Sequence, residues 1–271
     1  MLSKLRHIEN QPDCQPQHDV APIKWVVERV ATCPSTNDEV GRRASAGEIK
    51  PPFVLVADTQ TAGRGRDGRQ WVTPPHGALT MSAFIQPTAP REKWGLVPLW
   101  AGLASKQALA IFGYQAQLKW PNDVLLPDAT PINGLGKWRK VGGILCQGIT
   151  DKGIVIGIGI NVAQAENELP VPTATSLALN NSNPPTVNEV LDALLSKLAD
   201  VISSWQDGNE AELLKQYQQD CVNIGIKVTI TNTGSGEISG QALGLNDDGA
   251  LLMELKDGSR VICHAGDLWL A

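Results

Sequence analysis

The chain contains no Cys-x-x-Cys pair and no His-x-x-x-His pair. Its five cysteines, Cys14, Cys33, Cys146, Cys221 and Cys263, are odd in number and far apart, which argues against a structural zinc site. Cys146 lies in an apolar run and reads as a small core residue rather than a nucleophile. His7, His18, His76 and His264 are equally scattered. No apolar stretch is long enough to cross a bilayer, and the opening residues MLSKLRHIENQPDCQPQHD lack the apolar run of a signal peptide. Reduced thiols without a span or signal lead us to expect a cytoplasmic protein with no membrane partner. Basic excess is missing too: Lys and Arg number 23 against 28 Asp and Glu, a net charge of −5. Such a balance gains little from phosphate neutralisation, so no DNA partner is expected. There is no internal repeat and no low-complexity tract. What is present is an ordinary globular composition, 42% hydrophobic and 19% charged, over 271 residues, enough for one large domain or one domain plus a small one.

Residues 1–24 are polar and interrupted by Pro12, Pro16 and Pro22, and read as a loose leader. Trp25 to Ala31 suits a first strand. Ser35-Thr36-Asn37, with Glu39 three residues after Thr36, has the form of a capping box opening a helix that ends near Gly47. Phe53–Ala57 and Ala78–Ile85 read as buried strands around a glycine- and arginine-rich loop from Thr59 to Pro75. A helix is predicted over Val97–Phe112, stopping at Gly113. A strand over Gln115–Trp120 is closed by a turn at Pro121-Asn122-Asp123. Val141–Gln147 and Ile154–Ile160 form a hairpin of buried strands. Ala163–Pro185 is loop-like. Val187–Trp205 places Val190, Leu191, Leu194, Leu195, Leu198, Val201, Ile202 and Trp205 on one helical face, and a second helix spans Glu210–Gln219. After Asn223 come short strands, Ile226–Ile230, Ile238–Leu245, Leu251–Leu255 and Val261–His264. Turns at Asn232-Thr233-Gly234, Asp247-Asp248-Gly249 and Asp257-Gly258 join them. We expect an α+β domain over 25–222 followed by a small all-β module over 223–271.

Four segments carry chemistry. Gly63-Arg64-Gly65-Arg66-Asp67-Gly68-Arg69 matches Gly-x-Gly-x-x-Gly, yet Trp71-Val72-Thr73-Pro74-Pro75 opens no helix after it, so a dinucleotide fold is excluded. What remains is a loop whose glycines admit close backbone approach and whose arginines suit phosphate or carboxylate, set against the plain alternative of a solvated basic loop. Lys119-Trp120-Pro121-Asn122-Asp123 aims an amide and a carboxylate from a strand end, or is only a turn. Lys140-Val141-Gly142-Gly143-Ile144-Leu145 puts a lysine at the head of an apolar strand whose paired glycines clear space, or is an edge lysine beside a bulge. Gly157-Ile158-Gly159-Ile160-Asn161 ends an apolar strand on an amide that must find a partner, ligand or backbone.

Taken in order, with Ser35-Thr36-Asn37 ahead of them, these segments resemble the biotin protein ligase family from about Trp25 to the C-terminus. The resemblance implies a mixed sheet flanked by helices, like a class II synthetase, followed by a small SH3-like β-barrel. It implies activation of biotin by Mg-ATP to biotinyl-5′-AMP, then transfer to a lysine of the biotin carboxyl carrier protein of acetyl-CoA carboxylase. Ser35, Thr36, Asn37 and Gln60 would bind biotin, with Gly142 and Gly143 as the floor. Gly63, Arg64 and Arg66 would lie on the ligand-covering loop, Arg66 near carboxylate and phosphates. Arg69 and Trp71 would finish that loop beside the adenylate. Asn122 and Asn161 resemble adenylate-contacting positions. Lys140 would meet the developing negative charge, and Asp123 would orient the incoming lysine or Mg²⁺ held by the ATP phosphates.

The chain departs from the family at Asp67, where members often carry a basic residue. Bifunctional members carry a DNA-binding helix-turn-helix ahead of the catalytic domain; residues 1–24 are too few for one, so the monofunctional type is expected, as a monomer or weak homodimer. A lipoate or octanoate protein ligase of related fold is the nearest alternative. A repressor that only binds the adenylate, and a non-catalytic module carried by the terminal barrel, are the others.

Overall fold

The computed structural model describes residues 23–72, 77–231 and 236–270. The leader up to residue 22, the segment 73–76 and the turn read at Asn232-Thr233-Gly234 lie outside the described residues.

Two sheets organise the chain. The larger has seven strands: β1 (Val26–Cys33), β2 (Phe53–Gln60), β3 (Ala78–Ile85), β4 (Gln117–Lys119), β5 (Asp123–Ile132), β6 (Gly136–Ile149) and β7 (Gly153–Asn161), in the spatial order β1-β2-β3-β7-β6-β5-β4. Only β1 and β2 run parallel, joined through helix α1 (Thr36–Ala46); every other neighbour is antiparallel. Period-two alternation decides what each face holds. On β7, Ile154, Ile156, Ile158 and Ile160 face one way, into the main core. Helices α2 (Val97–Ile111) and α4 (Val187–Gln206) cover that face, with α5 (Glu210–Gln219) against both. Each buried isoleucine contributes roughly 1.5–3 kcal/mol relative to exposure. The opposite face carries Phe53, Leu55, Phe84 and Val155, which pack on Val40 and Ala44 of α1.

Local chemistry sets the helix ends. Ser35, not Thr36, is the N-cap of α1: its Oγ accepts from the Asp38 amide, and Gly47 closes the helix at φ 75°. The capping box read at Thr36–Glu39 is not the cap of this helix: the N-cap is one residue earlier, Thr36 is already the first helical residue, and Glu39 turns outward to pair with Arg42. A capping box does open α4, between Thr186 and Glu189, and the eight apolar residues of its predicted stripe are all buried. The 163–185 loop contains a short helix, α3 (Leu177–Asn180).

The C-terminal sheet has five antiparallel strands, β8 (Lys227–Thr231), β9 (Ile238–Leu245), β10 (Leu251–Leu255), β11 (Arg260–Cys263) and β12 (Asp267–Leu270), in the order β11-β10-β9-β8-β12. It is fastened to the larger sheet at defined points. The Trp120 indole donates to the Gly249 carbonyl at 3.0 Å, and the Leu270 amide donates to the Gly134 carbonyl at 2.8 Å. An α+β body with a small all-β module is the architecture that the sequence predicted.

Candidate active site

A cavity opens on the α1 side of the larger sheet, where β7 and β6 carry glycine instead of side chains. Gly157 and Gly159 share the face of Val155, opposite the isoleucines. A Cβ on Gly157 would collide with the Asn37 amide, and one on Gly159 would lie 2.5 Å from the Trp71 ring. The absent side chains thus admit one wall residue and one roof residue to the sheet surface.

The first turn of α1 forms the polar end. Ser35, Thr36 and Asn37 are all buried, the last by a hydrogen bond from its Nδ2 to the Leu145 carbonyl at 2.9 Å. Gln60, at the end of β2, accepts the Thr36 amide on Oε1 at 2.8 Å.

A cationic cluster forms the other end. Lys119 at the end of β4 and Lys140 on β6 both reach Asp123, one to each carboxylate oxygen, at 3.0 and 2.6 Å. Burial pushes the Asp123 carboxyl up, but the charges of Lys119 and Lys140 outweigh it and hold the group well below the usual carboxylate range. A bulge aims Lys140. The β5–β6 register passes from Val124 opposite Gly142 to Leu125 opposite Lys140, leaving Val141 as the extra residue. In a regular strand Lys140 and Gly143, three apart, face opposite ways; here the Lys140 ammonium lies over the Gly143 Cα. The loop after β7 holds the bulge, with the Lys140 amide donating to Thr173 and its carbonyl accepting from Thr175.

The arginine loop is the roof. Asp67 and Gly68 both take positive φ, 53° and 75°, to make its tight turn. An aspartate tolerates that conformation better than most side chains. The loop closes through backbone bonds between Gly65 and Arg69 and between Gly63 and Trp71. Arg64 pairs with Asp38 of α1 at 2.5 Å. Arg66 donates to the Asn122 side chain at 3.2 Å, and Asn122 is fixed in turn by the Ile144 carbonyl. Arg69 forms an ion pair with Asp267 of the C-terminal module. Trp71 lies across Gly143 and Gly159 with the Lys140 ammonium 5.8 Å from its ring, and its buried indole N–H finds no hydrogen-bond partner among the described residues.

The cavity wall therefore brings together Ser35, Thr36, Asn37, Gln60, Arg64, Arg66, Arg69, Trp71, Asn122, Asp123, Lys140 and Gly143. Three expected residues do not line it. Gly63 backs onto the Trp71 carbonyl, and Gly142 serves the close approach of β6 to Gly159. Asn161 is buried with both amide ends engaged, its Nδ2 on the Thr175 carbonyl and its Oδ1 under the Gln164 Nε2. Lys119, which opens the Lys119–Asp123 motif, is a site residue that sequence reasoning missed. Sequence reasoning also missed Asp267 and Trp269, which lie on a strand it did not predict, and Ser82, which had no local signal.

The donors do not form a divalent-cation cage. Among the described residues no three His, Cys, Asp or Glu cluster, and both Asp123 oxygens already face ammonium groups.

The larger sheet thus carries one cavity between a glycine floor and an arginine roof. The family model described as "Biotin/lipoate A/B protein ligase family" matches residues 30–161, and "Biotin protein ligase C terminal domain" matches 224–268. The biotin--[acetyl-CoA-carboxylase] ligase of Mycobacterium tuberculosis is 33% identical over 244 residues, covering 88% of this chain and 86% of that one. The enzyme of the same name from Paracoccus denitrificans is 31% identical, covering 86% and 96%. The biotin protein ligase of Aquifex aeolicus, solved with biotin and ATP, superposes with a TM-score of 0.76 at 26% identity, over 90% of this chain and 99% of that one. The chain belongs to the biotin protein ligase family.

Proposed function

We propose that this chain activates biotin with ATP and transfers it to a lysine of a biotin carboxyl carrier protein of acetyl-CoA carboxylase. The observation that carries the reading is the polarity of one cavity: uncharged hydrogen-bonding groups of α1 and Gln60 at one end, and the Lys119–Asp123–Lys140 cluster with Arg66 at the other. A cyclic urea fits the first end and a carboxylate meeting a phosphate fits the second. In the first step a biotin carboxylate oxygen attacks the α-phosphorus, the bond to the β-phosphate oxygen breaks, and pyrophosphate leaves. In the second the lysine amine attacks the acyl carbon, AMP leaves, and the amine nitrogen gives up a proton. Neither step requires a nucleophile from the protein; placement and charge stabilisation suffice. Lys140 and Arg66 meet the charge that develops on oxygen. Asp123 holds both lysines toward the cavity and presents a carboxylate to the acceptor amine. Mg²⁺, in this reading, travels with the ATP phosphates rather than in a protein cage.

Residues 25–222 would form the catalytic unit and 223–271 the C-terminal unit, with Arg69–Asp267 tying the roof to the latter. The proposed setting is the cytoplasm, where thiols such as Cys33, Cys221 and Cys263 stay reduced. The test is incubation with biotin alone or octanoate alone, plus Mg-ATP. Pyrophosphate release with biotin and not octanoate supports the reading, and the reverse selects the lipoate-type alternative.

A further inference from the structure

We infer that Ser82, on β3 beneath the polar end of the cavity, is a positioning residue that sets which way the Thr36 hydroxyl points, and thereby selects for an N–H donor on the bound ring. The inference rests on the biotin reading of the site. Ser82 is completely buried, and its Oγ lies 2.5 Å from Asn37 Oδ1 and 2.8 Å from Thr36 Oγ1. Three hydrogen-bonding atoms thus compete for two hydroxyl protons. The Asn37 amide is oriented by its Nδ2 bond to the Leu145 carbonyl, so the atom facing Ser82 is an oxygen, which has no proton to offer. Two oxygens at 2.5 Å need a proton between them, and only Ser82 can supply it. The contact from Ser82 to Thr36 must then use the Thr36 proton. The other acceptor in reach of Thr36, Gln60 Oε1, is farther at 3.1 Å and already receives the Thr36 amide.

The outcome is a one-way relay: Thr36 donates to Ser82, Ser82 donates to Asn37, and Asn37 donates to the β6 backbone. Thr36 then turns only lone pairs toward the cavity. Ser35, whose Oγ accepts the Asp38 amide, retains its own proton for a ligand acceptor. An acceptor beside a donor is the complement of the N–H and C=O of a cyclic urea. Gly157 belongs to the same device, since any side chain there would displace the Asn37 oxygen that anchors the relay.

The test measures binding of biotin and of the two cyclic-carbamate analogues in which one ureido N–H is replaced by oxygen, by calorimetry on the full chain. The unaltered protein should discriminate against one of the two by about a hundredfold or more, because a ring oxygen would face the Thr36 lone pairs. Ser82→Ala should reduce that ratio by about tenfold, since Thr36 can then turn its proton to the cavity. In the Thr36→Val background, Ser82→Ala should leave the ratio unchanged, which a general loss of packing would not do. If Ser82→Ala does not fold, Ser82→Cys takes its place in the same cycle, with the same direction of change. An unchanged ratio in the single variant, or equal changes in both backgrounds, overturns the inference. Failure of the unaltered protein to bind biotin at all would instead overturn the functional reading on which it rests.

Discussion

Lys140 and Asp123 lie 2.6 Å apart although they stand on different strands, and the β-bulge at Val141 is what lets them meet. The same carboxylate receives Lys119 on its other oxygen. One partly buried anion therefore holds two cations at the charged end of the cavity.

Lys140→Ala should slow adenylate formation far more than it alters folding. An electrostatic contact made to charge that develops in the transition state is worth roughly 3–4 kcal/mol, so single-turnover rates at saturating biotin and ATP should fall by about a hundredfold or more. A near-normal rate would remove Lys140 from the chemistry.

Asp123→Asn leaves Lys119 buried without its anion, a loss of about 3–5 kcal/mol and a melting temperature lower by on the order of 10 °C. The pH dependence has a defined sign. The folded carboxyl is held below its unfolded value, so the stability it contributes is present above the unfolded carboxylate range. That contribution is lost as pH falls through the unfolded value toward the folded one. Thermal unfolding from neutral to acid pH should show a steeper fall for the unaltered protein than for the variant; parallel curves would contradict the assignment.

Gly159→Ala places a methyl 2.5 Å from the Trp71 ring, which has no room to drop and must lift off the strand. The Michaelis constants for biotin and ATP should rise by about tenfold or more, with a change in Trp fluorescence. Unaltered constants would show that the indole does not form the ligand surface.

The arginine roof should respond to ligands. Arg64 and Arg69 are half-exposed and are held by ion pairs, Arg64 to Asp38 and Arg69 to Asp267 and, at 4.0 Å, to Asp67. Limited trypsin digestion should cut there in the free protein and slow when biotin and ATP are added. Equal cleavage with and without ligands would argue for a roof already fixed.

Much of this was legible in the sequence, for identifiable reasons. The α4 stripe and the β7 alternation follow from periodicity, and the order of the glycine, lysine and asparagine motifs carried the family. Strand β5 was not legible beyond its opening turn: Asp123–Ile132 contains Pro127 and Pro131, which read as breaks but lie along an irregular register with β6. Strand β12, Asp267–Leu270 directly after Gly266, was not read from the sequence. Lys140 reads from the sequence as the head of an apolar strand or as an edge lysine beside a bulge; it stands inside β6, which begins at Gly136, and the bulge is present, but its meeting with Asp123 on β5 had no local signal. Asn161 shows the reverse case. An amide at the end of an apolar strand does demand a partner, and in this structure it finds Thr175 and Gln164 within the protein.

The most direct measurement of the central claim is intact-mass analysis of a biotin carboxyl carrier domain incubated with this protein, Mg-ATP and equal amounts of biotin and lipoate. A single biotinyl adduct on one lysine, absent when ATP is withheld, is the predicted result. A lipoyl adduct, or an unmodified carrier with all components present, would contradict the account.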